Sequence, residues 1–146
     1  MAGLWGVTPR QSVEAECAVR GRAAVVAGCV AILHGNRPAD DQLLRALGGP
    51  AAEQILAGRE GGLSGYWPRV WAARGLLHAW DDTATAALIH ATADESWRVR
   101  EMAAKVVARH RIGDALDAVA ALRDDPVARV RQAAVRAVEI VTASGA

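Results

Sequence analysis

The side chains with chemical reach gather in one stretch, DESWRVREMAAKVV at residues 94–107, where two arginines, a lysine and a tryptophan open a strongly helical run. Guanidinium groups beside an indole ring are recognition chemistry: they grip carboxylates or phosphates and stack on flat faces. Catalysis and metal binding find less support. His34, His78, His90 and His110 show no spacing that sets two ligands on one helical turn, and His110 continues an apolar stripe, as a packed histidine does. The serine of GLSG (62–65) lacks the frame of a nucleophile elbow, and no GxGxxG or P-loop pattern occurs. The acidic pairs Asp40–Asp41, Asp81–Asp82 and Asp124–Asp125 stand at turns or helix starts, where capping accounts for them. The sequence therefore predicts no catalytic residue, no metal ligand set and no cofactor.

Bulk properties narrow the partners. Seventeen basic side chains stand against 16 acidic ones, for a net charge of +1. That balance gives no global attraction to nucleic acid or to an anionic membrane. Cys17 and Cys29 lie in a segment read as one long helix, which would hold them about 18 Å apart, too far to bridge. No CxxC pair occurs, so they read as free thiols in a reducing compartment. The opening MAGLWGVTPRQ lacks the apolar core of a signal peptide. The longest apolar run, AAVVAGCVAIL at residues 23–33, is shorter than the roughly 20 residues that span a bilayer and reads as a buried helix. The expectation is one cytoplasmic domain, residues 1–146, that does not enter a membrane.

The elements that must position the basic stretch repeat. Moving it forward by 31 residues lays it on DPVARVRQAAVRAV: Asp94 falls on Asp125, Arg98 on Arg129, Val99 on Val130, Arg100 on Arg131, Ala103 on Ala134 and Val107 on Val138. Moving it back by 31 lays Arg100, Ala103, Lys105 and Val107 on Arg69, Ala72, Arg74 and Leu76. Each copy reads as two helices. Apolar residues at 84, 87, 88 and 91, and again at 115, 118, 119 and 122, mark a first helix; Val99, Met102, Ala103, Val106 and Val107 mark the second. HRIGDA closes one copy at a glycine, and Pro126 falls near the first turn of the last helix. No alternating strand pattern appears, so the chain reads as all-α.

A helix pair with an Asp-containing turn followed by VR..AA..V resembles a HEAT repeat, particularly the short type of phycobilisome-lyase-like HEAT proteins. The resemblance covers residues 82–141 well. The copy around residues 66–80 departs from it, with Pro68 in place of Val and Leu63 in place of Asp. It implies a right-handed α-solenoid with about three clear repeats at 66–141. A degenerate helical cap at 11–57, made of one longer helix and two short ones, would precede them, with a flexible glycine-rich joint at 58–65.

The resemblance further implies that Arg69, Arg100 and Arg131, with Asp94 and Asp125, form a structural ladder, pairing Asp94 with Arg100 and Asp125 with Arg131. On a helical wheel Arg98, Lys105 and Arg109 occupy the opposite flank from Arg100, while Glu101 and Ala108 face outward. With Trp67, Arg74, His78, Trp97, Arg129 and Arg136, that flank forms a stripe across three repeats, the surface on which solenoids hold partners. The expected function is a non-catalytic module binding an acidic protein. Two alternatives accompany it: a nucleic-acid-binding HEAT-like protein, as some DNA glycosylases are, and a structural protein that self-associates through its terminal repeat.

Overall fold

In a computed structural model, residues 6–144 are described; residues 1–5, the start of the segment read as lacking a leader, and residues 145–146 lie outside that description. Thr8 opens α1 (Pro9–Arg20). Its hydroxyl accepts the Gln11 N–H at 3.1 Å while the Gln11 side chain accepts the Thr8 N–H at 3.0 Å, a reciprocal capping box. The long first helix expected from the sequence is in fact two helices. Gly21, at φ 93° and ψ 143°, breaks the run, and α2 (Arg22–Leu33) packs against α1. Cys17 and Cys29 thus sit on different helices as free thiols, and burial pushes Cys29 up to about 12. Helix α2 is buried on one side only: Val25, Val26, Cys29, Ile32 and Leu33 face the core, whereas Ala23, Ala24 and Ala27 are exposed.

Asp40 caps α3 (Asp41–Gly48), accepting the Leu43 N–H at 2.9 Å. The end of α3 lies so close to α5 (Trp67–Gly75) that a Cβ on Gly48 would meet the Trp71 ring at 2.4 Å. Between them come α4 (Ala52–Leu56) and a 3₁₀ turn, Arg59–Ser64, with Gly58, Glu60, Gly61 and Gly62 all at positive φ.

The later copies are α6 (Thr85–Ala91) with α7 (Trp97–His110), and α8 (Leu116–Ala121) with α9 (Ala128–Ser144). Residues thirty-one apart share one environment: Ala84 and Ala115, Leu88 and Val119, Val99 and Val130, and Ala103 and Ala134 are all at 0% exposure. In the earliest copy Pro68 and Ala72 fill the places of Val99 and Ala103, and both are buried. Burying a valine or leucine at such a site stabilises by roughly 1.5–3 kcal/mol. Where the seam is alanine, close approach of the helices supplies the contact instead. Helices α5, α7 and α9 pack side by side, α2 lies against α5 and α6, and one apolar cluster runs from Val13 to Val141. The described residues form helices and turns without a strand, and the chain is a helical solenoid.

Two boundaries differ from the sequence reading. Helix α7 ends on Arg111, at φ 52° and ψ 54°, whose N–H reaches the Val107 carbonyl, while Gly113 opens the next 3₁₀ turn. Pro126 stands ahead of α9; the Val127 carbonyl accepts the first N–H groups, from Val130 and Arg131, both at 3.1 Å.

Candidate functional site

Arginines line α7 on two flanks, and each flank has its own surroundings. On one, Arg69 of α5 sends Nε and Nη2 to Asp94 at 2.8 and 3.2 Å, and Arg100 of α7 does the same to Asp125 at 2.7 and 3.2 Å. Each carboxylate is also held by its own turn: Asp94 accepts the Ser96 N–H at 2.8 Å, and Asp125 that of Val127 at 2.9 Å. Nη1 of Arg100 and of Arg131 then donates to the carbonyl of Asp94 and of Asp125, both at 2.8 Å. The six-residue spacing is therefore a main-chain contact. The carboxylate goes to the arginine of the preceding copy, because that helix is the one packed beside the turn. Leu63 supplies no carboxylate for an earlier rung, and Arg69 Nη1 donates to the Gly65 carbonyl at 3.2 Å. Burial alone would raise the Asp125 carboxyl, but hydrogen bonds from Arg100 and the Val127 N–H, with the charges of Arg100 and Arg131, hold it below the ordinary carboxylate range.

The other flank stacks cations on rings. The Arg98 guanidinium carbon lies 4.5 Å from the Trp97 ring centre, 5.4 Å from that of Tyr66 and 5.6 Å from that of Trp67. Arg129, one copy on, lies 5.4 Å from the same Trp97 ring. Tyr66 and Trp67 are 5.1 Å apart, and Trp67 continues onto the buried Trp71 at 6.3 Å. The order is thus Trp71, Trp67, Tyr66, Arg98, Trp97 and Arg129, crossing from α5 to α9. Stacking of this kind contributes about 0.5–1 kcal/mol at exposed sites. Arg98 has no carboxylate partner among the described residues.

The wheel placed Glu101 in solvent; it is buried, at 8% exposure. It accepts Arg129 Nε at 3.0 Å and lies 3.6 Å from Lys105 Nζ. A wheel assumes one covered face, whereas α7 is flanked by α5 and α9 and is covered on two. Ala108 is half-buried for the same reason. Arg109 and Arg136 are exposed and make no hydrogen bond or ion pair among the described residues. Glu101 is the neighbour of this stack that the sequence reading missed; its signal was the four-residue spacing to Lys105.

Arg74 is not part of this stack. It turns toward α3, donating Nη2 to the Leu47 carbonyl at 2.7 Å, while its Nε is buried without an acceptor. His78 lies within the influence of Arg10, Glu14, Arg109 and Arg74, and burial is the main reason its pKa falls below the ordinary histidine value. His110 bonds through Nε2 to the Leu76 carbonyl at 2.7 Å and stacks on Trp80 at 5.0 Å. Burial keeps it below the usual value, aided by Arg109 and opposed by that hydrogen bond. No group of three metal-ligating side chains forms among the described residues. None of their helices is long and apolar enough to cross a membrane.

A family profile described as HEAT repeats matches residues 66–139, the span that holds both flanks. No curated protein and no solved structure gives a significant match.

Proposed function

The chain belongs to the HEAT-repeat family, and from that premise we propose that it is a non-catalytic interaction module whose Arg98–Trp97–Arg129 stack holds an acidic protein partner. HEAT repeats generally mediate protein interactions or scaffolding, and the family is typically non-enzymatic. The observation that carries the finer reading is Arg98: a half-buried guanidinium oriented by three rings, with no acid of its own among the described residues. Its donors are held in place before any partner arrives, so little ordering is needed on binding. Trp, Tyr and Arg together form the composition that dominates protein–protein hot spots. Glu101 holds Lys105 and Arg129, so the edge presents mixed charge rather than a continuous track for phosphates.

The test is comparative capture. Immobilised wild-type protein should retain a partner that an Arg98→Ala/Arg129→Ala variant releases, and that partner should carry an acidic contact surface. Recovery of the same protein by both would remove the edge from the account. A mobility shift on duplex DNA, lost steeply as salt rises, would replace the protein partner with nucleic acid.

A further inference from the structure

Beyond the stack lies a cation that neither the ladder nor the edge employs. Arg74 lines a cavity of about 480 Å³ between the first turn of α1, the end of α3 and the start of α4, within the size range of small-ligand sites (about 300–1,000 Å³). Val7, Pro9 and Pro50 give it apolar walls. Arg45 and Glu53 stand at the same cavity but satisfy each other, with Nε to Oε1 at 2.6 Å. Arg74 has no such acid. Among the described residues its one hydrogen bond goes to the Leu47 carbonyl, and Nε is orphaned. Burial draws its pKa below the ordinary arginine value. The C-terminal end of α3 offsets part of this charge, since a helix dipole supplies about half an elementary charge at most.

We propose that this cavity binds a carboxylate carried on an apolar body, the anion pairing with Arg74 and the body lying against Val7, Pro9 and Pro50. A half-buried guanidinium without an acid is costly, and an incoming carboxylate relieves that cost where a neutral group cannot. The same chemistry is offered by a free aliphatic acid and by the C-terminus of a peptide. The experiment is a ¹⁵N NMR titration of the full chain with octanoate, octanamide, N-acetyl-valyl-leucine and its C-terminal amide. The acids are expected to saturate with dissociation constants on the order of millimolar or tighter. Their shifts should centre on the Ser12, Leu47 and Gly49 amides, and the amides should bind about tenfold or more weakly. Tighter binding of octanoate assigns a small-molecule site; tighter binding of the dipeptide acid assigns a chain terminus. An Arg74→Gln variant with a native melting transition should lose the preference for acid over amide. The proposal is overturned by acids and amides that bind alike, by shifts confined to other surfaces, or by no saturation up to roughly 20 mM. Should Arg74→Gln not fold, the contrast of acid and amide on the wild-type chain decides alone.

Discussion

Arg100 and Arg98 stand two residues apart on α7, and their guanidinium groups are used in different ways. Arg100 meets a buried carboxylate whose other bonds are already fixed by its own turn, so the pair sets how one copy sits on the next. Arg98 meets three rings and, among the described residues, no acid, so its charge is oriented but not neutralised by them. Residue type alone does not tell the two arginines apart. What the guanidinium faces does.

The ladder should be the costly flank to disturb. Asp125→Ala leaves Arg100 without its carboxylate at a site where the two side chains are 5% and 15% exposed, and is expected to destabilise by about 3 kcal/mol in urea unfolding. A loss under about 1 kcal/mol would make the rung ornamental. The same carboxylate gives the next largest effect. Its folded-state pKa is depressed, so its contribution is present above the unfolded value near ~3.9 and lost as pH falls through that range to the folded value. The stability gap between wild type and Asp125→Asn should therefore narrow on acidification; a gap constant down to low pH contradicts the pairing.

Glu101→Gln sharpens the comparison from the other side. It removes the acid that holds Arg129 and Lys105, at a cost of about 1 kcal/mol, and should strengthen capture of an acidic partner. Weaker capture would mean that Glu101 itself touches the partner. Smallest is Arg111→Gly, which relieves a left-handed backbone at an exposed helix end and should stabilise by about 0.5–1 kcal/mol without changing capture.

The architecture was legible because periodicity reports burial: Val99 and Val130, and Ala103 and Ala134, lie in equivalent core sites as their spacing requires. The ladder's arginines and aspartates were legible too, but not their pairing. The family resemblance implied pairing Asp94 with Arg100, whereas side-by-side stacking of α5 and α7 gives its carboxylate to Arg69. Arg74 illustrates the opposite limit. Its register matches Lys105, yet the end of α3, specific to the N-terminal region, draws it to the Leu47 carbonyl. Glu101 escaped because a single helix cannot show that its outward face will be covered by α9. Gly21, between Arg20 and Arg22, ends one helix and opens the next at a positive φ, where the sequence reading ran a single helix.

Parallel measurement of Arg100→Ala and Arg98→Ala, each for urea midpoint and for partner capture, tests the division most directly. The ladder variant should lose several kcal/mol of stability, on the order of 3, whereas Arg98→Ala should cost about 1 kcal/mol or less and abolish capture. Equal destabilisation by the two, with capture intact in the Arg98 variant, would show that both flanks serve the fold and that the partner binds elsewhere.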